Sequence, residues 1–155
     1  MTASRPAEGT TARLPKFLCF AIYSANLAFG RAYKPLLDPL GLTYTQYIAL
    51  VALADADDQT VGELGEKLFL ESNTLTPILK KLEAAGYIRR QRDPGDERQV
   101  RISLTPAGRR LIDMVPEAAL LEATGLGDEF ATMQQATAYL RDNLLRATRA
   151  GAIEG

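Results

Sequence analysis

The sequence holds one cysteine and no histidine in 155 residues. Cys19 lies in "KFLCFAIYSA", beside Phe17, Leu18, Phe20, Ile22 and Tyr23. A thiol is reactive as its thiolate, and its first oxidation product is a sulfenic acid. A free cysteine in apolar company also serves as a small hydrophobe in a core. Both readings of Cys19 stand on its surroundings alone. The missing histidine removes the Ser-His-Asp and Cys-His constellations and the commonest transition-metal ligand. One cysteine leaves no internal disulfide and no cysteine-rich zinc site. No cofactor is implied, and the chain reads as a binding protein rather than an enzyme.

Charge is the second chemical signal. Between residues 80 and 110, nine basic residues (Lys80, Lys81, Arg89, Arg90, Arg92, Arg98, Arg101, Arg109, Arg110) face four acidic ones, a local balance of +5. The whole chain carries −1, so the remainder carries −6. A basic segment in a near-neutral protein is the footprint expected for a polyanion, or else a solvated face.

The elements that position these residues follow from periodicity. With 46% hydrophobic and 24% charged residues, the composition is that of a globular protein. Residues 1–15 are polar and small and read as a flexible N-terminus, and residues 16–149 as a single domain. No apolar run approaches the roughly 20 residues of a membrane helix, so a cytoplasmic protein is expected. Leu18, Ile22, Ala25 and Phe29 recur at helical spacing, and Pro35 and Pro39 bring that helix to an end. Thr43 with Gln46 and Thr60 with Glu63 form capping boxes that open two more helices, either side of a polar break from Asp55 to Gln59. Leu75, Ile78, Leu79 and Leu82 give one buried stripe on a fourth helix, for which Ser72, Asn73 and Thr74 are all candidate caps. Val100, Ile102 and Leu104 then alternate with polar residues, as in a half-buried strand. Tyr87 to Gln91 supplies the partner strand and "DPGDER" the tip. Thr105-Pro106 opens a helix through about Leu121, and a last helix runs from about Asp128 to Thr148.

The predicted fold is therefore mainly α with a small β-hairpin. Short helices followed by a basic hairpin are the layout of a winged helix-turn-helix, here over about 43–104. Ser72, Asn73, Thr74, Thr76, Lys80 and Lys81 lie away from the apolar stripe, where short polar groups meet base edges and ammonium groups meet phosphates. Arg90 and Arg98 lie on the wing, and an arginine at such a tip can enter a narrow minor groove. An acid beside it, Asp96 or Glu97, can orient its guanidinium. The alternative for each is an ordinary surface helix and a surface ion pair.

"RDPGDERQVRISLTPAG", residues 92–108, resembles the wing and following helix of MarR-type regulators, and the likeness extends over about residues 15–148. It implies an obligate homodimer built on helices at about 16–38 and 106–149. It also implies repression through a pseudopalindromic double-stranded DNA operator, with Asp96 holding Arg98. Within that family, "LCFAIYSA", Tyr33 and "LTYTQYIAL" resemble the organic hydroperoxide resistance regulators. The resemblance makes Cys19 the peroxide-reactive thiol and makes Tyr33 and Tyr44, from the partner subunit, its hydrogen-bond donors. Tyr23, one turn from Cys19, lines the same pocket. Phe17, Phe20 and Ile22 suit a peroxide with a hydrocarbon tail.

The chain lacks the second, C-terminal cysteine of many relatives, with Ala123 and Thr124 in that region. The resemblance is to the one-cysteine type, whose sulfenic acid is capped by a low-molecular-weight thiol, attacked by a backbone nitrogen or over-oxidised. Two other functions compete. One is a MarR-type repressor released by a phenolic or lipophilic ligand, with Cys19 structural. The other is a thiol peroxidase, for which no resolving thiol is present.

Overall fold

Both capping boxes form. Thr43 accepts the Gln46 amide at 3.2 Å while the Gln46 side chain accepts the Thr43 amide at 2.9 Å. Thr60 and Glu63 repeat the exchange at 3.1 Å in each direction. Each box satisfies two of the free amides at a helix start. In the computed structural model, which describes residues 12–151, they open α2 (Tyr44–Asp55) and α3 (Val61–Leu68). Residues 1–11 of the expected N-terminal segment lie outside the described residues, and Leu14–Lys16 form a single 3-10 turn.

The helix before them, α1 (Leu18–Leu37), contains Pro35 in its last turn and passes into a 3-10 turn over Asp38–Leu40. Gly41 closes it at φ 69°. Then follow β1 (Gln59–Thr60), α4 (Ser72–Ala84), β2 (Ile88–Asp93), β3 (Asp96–Leu104) and α5 (Pro106–Asp113). After Pro116 come α6 (Glu117–Ala123), a 3-10 turn at Gly127–Glu129 and α7 (Phe130–Arg149). The contacts group into two units divided between Val115 and Pro116. The first unit carries α1–α5 and the sheet. In the second, α7 buries none of its residues and exposes Met133, Tyr139 and Leu144.

The core of the first unit is made by Leu37, Leu50, Leu53, Leu64, Leu75, Leu79, Leu82 and Ile102, each buried. Leu75, Leu79 and Leu82 are the predicted stripe of α4, with Ile78 half-buried at its edge. Gly65 permits the tight α3–α4 turn, where a β-carbon would stand 2.7 Å from the Leu70 carbonyl oxygen.

Four expectations are corrected. The predicted hairpin is part of a three-stranded antiparallel sheet in the order β1-β3-β2. Gln59 belongs to β1 rather than to the polar break: it is buried and donates its amide to the Ala52 and Ala56 carbonyls. None of Ser72, Asn73 and Thr74 caps α4, because all three lie within its first turn and Glu71 takes the cap position without a side-chain bond. The helix expected from Pro106 to Leu121 is two helices, because Pro116 has no N–H to continue the first.

Candidate nucleic-acid interface and cysteine site

The first turn of α4 presents Ser72, Asn73 and Thr74 to solvent. Thr76 is half-buried and donates its hydroxyl to the Ser72 carbonyl at 2.7 Å, which leaves the oxygen free to accept. Lys80 and Lys81 are exposed further along the helix. A cleft lies between this helix and the wing, lined by Thr60, Val61 and Gly62 from the start of α3, Ser72 and Thr76 from α4, and Arg98, Gln99 and Val100 from β3. It therefore unites two predicted reading-helix residues with the predicted wing arginine. Asn73, Thr74, Lys80, Lys81 and Arg90 do not line it. Thr60, Val61, Gly62, Gln99 and Val100 were not among the candidate site residues, since only the fold brings the start of α3 beside this part of the wing.

The wing tip is built by two carboxylates. Asp93 accepts the Gly95 amide at 2.8 Å and closes the turn. Asp96 accepts both the backbone amide of Arg98, at 3.1 Å, and its Nε, at 3.3 Å. The Arg98 side chain is 92% exposed, so it is aimed by Asp96 while its remaining donors face solvent. Arg90 is placed differently. Its backbone amide and Nε both donate to Glu83 of α4, at 3.1 and 3.2 Å, which joins the wing to the helix. The hydrogen bond from Gly95 is the leading reason that the Asp93 carboxyl sits below its usual range, with Arg101 adding to it.

The motif "LTPAG" has a structural basis in the same unit. Thr105 accepts the Gly108 amide at 3.2 Å, donates to the Gly86 carbonyl at 2.7 Å, and is followed by Pro106 at the first helical position. Gly108 packs directly against the Tyr87 carbonyl, which leaves no space for a β-carbon.

Cys19 is exposed and is the second residue of α1, in the turn whose amides have no helical acceptor. Phe20 and Tyr23 lie one turn apart with ring centroids at 6.4 Å. At the other end of α1, Tyr33 packs on Tyr44 at 4.7 Å and on Tyr47 at 5.8 Å. Burial pushes the Tyr44 phenol above its ordinary value. Tyr47 completes an aromatic group that sequence reasoning left at two members; its signal was the three-residue spacing from Tyr44. Fourteen residues of helix separate Cys19 from Tyr33, roughly 21 Å at 1.5 Å per residue. One protomer thus brings Tyr33 and Tyr44 together but not Cys19 to either of them.

A family model described as transcriptional regulator SarA/Rot matches residues 31–115. The HTH-type transcriptional regulator TtmR of Methylorubrum extorquens is 48% identical over 141 residues, which cover 88% of this chain and 71% of that protein. This chain belongs to the MarR-like SarA/Rot family of winged-helix transcriptional regulators. The regulator is also 39% identical, over 85% of its length and 92% of the relative's, to the organic hydroperoxide resistance transcriptional regulator of Bacillus subtilis. Its resemblance to that subfamily is of the one-cysteine type. Among solved structures it is similar to overoxidized AbfR bound to DNA, with TM-score 0.71 and 36% identity over 85% of this chain and 95% of that chain. A mutant MarR from E. coli complexed with operator DNA gives TM-score 0.72 and 27% identity over 79% of this chain and 92% of that one. The curated relatives are named as transcriptional regulators, not enzymes. Among the described residues, no single helix is long and apolar enough to cross a membrane.

Proposed function

We propose that this regulator is a dimeric repressor that senses organic hydroperoxides through Cys19 and then releases its operator. The observation that carries the reading is the placement of its one thiol, exposed in the first turn of α1 and flanked by apolar and aromatic side chains. The free amides of that turn favour negative charge. A thiolate there attacks the peroxide, forming an S–O bond and breaking the O–O bond. The alkoxide leaves, takes up a proton and departs as the alcohol, while Cys19 becomes a sulfenic acid. A low-molecular-weight thiol then condenses with it, giving a mixed disulfide and water.

DNA recognition rests on α4 and the wing. Ser72, Asn73, Thr74 and Thr76 face the major groove, Lys80 and Lys81 meet phosphates, and Arg98, held by Asp96, enters the minor groove. Arg90 acts through Glu83 on the angle between helix and wing. In a symmetric dimer the two reading helices must sit about 34–36 Å apart to meet half-sites one turn apart. A modified Cys19 no longer fits the phenols of Tyr33 and Tyr44 from the partner, and the spacing is lost.

The test is fluorescence anisotropy on the DNA upstream of the protein's own gene, at fixed salt. One equivalent of cumene hydroperoxide with a small thiol is expected to release the parent protein, reversibly with excess reductant. The Cys19→Ser variant is expected to stay bound. Release of that variant by peroxide, or a parent that ignores peroxide, overturns the sensor reading and leaves a repressor with another trigger.

A further inference from the structure

Besides the Arg90–Glu83 pair, a second guanidinium ties the wing to the body of its unit. Arg101 sits in the middle of β3, opposite Gln91 of β2 and Thr60 of β1. Its Nε donates to Asp58 Oδ1 at 2.9 Å and its Nη2 to the Asp58 carbonyl oxygen at 2.7 Å. Its Nη1 donates to Asp93 Oδ2 at 3.3 Å. Asp93 uses its other oxygen to close the wing turn at Gly95, directly before the Asp96–Arg98 pair. A series of hydrogen bonds therefore runs from the loop before β1, through Arg101 and Asp93, to Gly95, the chain neighbour of the Asp96 that aims Arg98. Asp58 holds its end with a left-handed backbone, φ 55°, which aspartate and asparagine tolerate better than other side chains. Arg101 and Asp93 are partly shielded, at 33% and 20% side-chain exposure, so the pair is less screened than the Asp96–Arg98 pair at the tip.

We propose that Arg101, through Asp58 and Asp93, is a positioning residue that fixes the wing for DNA. The proposal rests on the DNA-binding reading above. Its sign separates it from plain electrostatics. Asp58 and Asp93 are negative charges in a unit read as binding a polyanion, so neutralising either favours DNA by charge alone. If they position the wing, neutralising them weakens the specific complex.

The test compares Asp58→Asn, Asp93→Asn and Arg98→Ala by anisotropy at fixed salt. Each is titrated on a labelled duplex from upstream of the gene and on an unrelated duplex of equal length. Asparagine keeps the acceptor for Gly95 at 93 and tolerates the backbone at 58, so both variants are expected to stay folded at the assay temperature, with Asp93→Asn melting slightly below the parent. Each is expected to lose about tenfold on the upstream duplex, of the order of one specific contact, with unrelated-duplex affinity unchanged or higher. Asp93→Asn added to Arg98→Ala is expected to cost little more than Arg98→Ala alone, because both act through one contact. Equal or tighter binding of both acid variants to the upstream duplex overturns the proposal, as does full additivity with Arg98→Ala. A parent that does not discriminate the two duplexes overturns the DNA-binding reading itself, and the proposal with it.

Discussion

At the scale of residues, one protomer holds Cys19 apart from Tyr33 and Tyr44, the phenols proposed to tune it. Cys19 has no phenol from Tyr33 or Tyr44 near it in its own protomer, while those two rings are already packed on each other. Burial raises the Tyr44 pKa above its ordinary value of about 10, so at neutral pH the phenol is an O–H donor. A hydrogen bond to a charged group is worth about 1.5–3 kcal/mol, roughly ten- to a hundredfold in an equilibrium or a rate. Tyr44→Phe keeps the packing and deletes the donor. Its Cys19 is expected to react with cumene hydroperoxide at least tenfold more slowly, followed by loss of free thiol with time, while DNA affinity of the reduced protein stays near that of the parent. Unchanged thiol kinetics would remove Tyr44 from the site.

At the scale of elements, the sheet and the helix after it are specified by contacts that leave little tolerance. Gly108 in α5 faces the Tyr87 carbonyl, so Gly108→Ala forces backbone apart. It is expected to cost about 1–3 kcal/mol, as overpacking does, seen as a lower midpoint in urea with an unchanged slope. The wing carries its own pH dependence through Asp93. Its folded pKa is lowered, so the unfolded chain binds the proton first. The stabilisation is present above the ordinary aspartate value of 3.8 and is lost as pH falls through the lowered folded value. The Gly95 amide resonance is expected to move over that range in the parent and to stay flat in Asp93→Asn.

These same elements show what was legible in the sequence. The boxes at Thr43 and Thr60 were readable because both partners lie within one helical turn. The α4 stripe and the Val100–Leu104 alternation were readable because burial imposes a period. Strand β1 was not, since two residues carry no period and its pairing with β3 spans more than forty positions. The Arg90–Glu83 and Arg101–Asp58 pairs were hidden for the same reason: charge types are visible in a sequence, but the partner is chosen by the fold. Pro116, by contrast, is a local signal in the sequence, since a proline lacks the amide that would carry α5 onward.

At the scale of the whole molecule, α1 is a helix of 20 residues that buries only Leu37 and exposes Leu18, Ile22, Tyr23, Leu27 and Phe29. So large an apolar surface is characteristic of an interface, and two copies paired through it could place Cys19 of one beside Tyr33 and Tyr44 of the other. The arrangement makes a complementation experiment decisive. One chain carries Cys19→Ser with both tyrosines intact; the other keeps Cys19 and carries Tyr33→Phe and Tyr44→Phe. Neither homodimer holds a complete site. On the proposed arrangement, a mixed dimer isolated by two different affinity tags holds one complete site, made of Cys19 from the second chain and the tyrosines of the first. Its single thiol is expected to react with cumene hydroperoxide at the parent rate, about tenfold or more faster than in the tyrosine-deficient homodimer. If the tyrosines acted within their own chain, the mixed dimer would gain nothing, because its only cysteine would remain on the chain that lacks them.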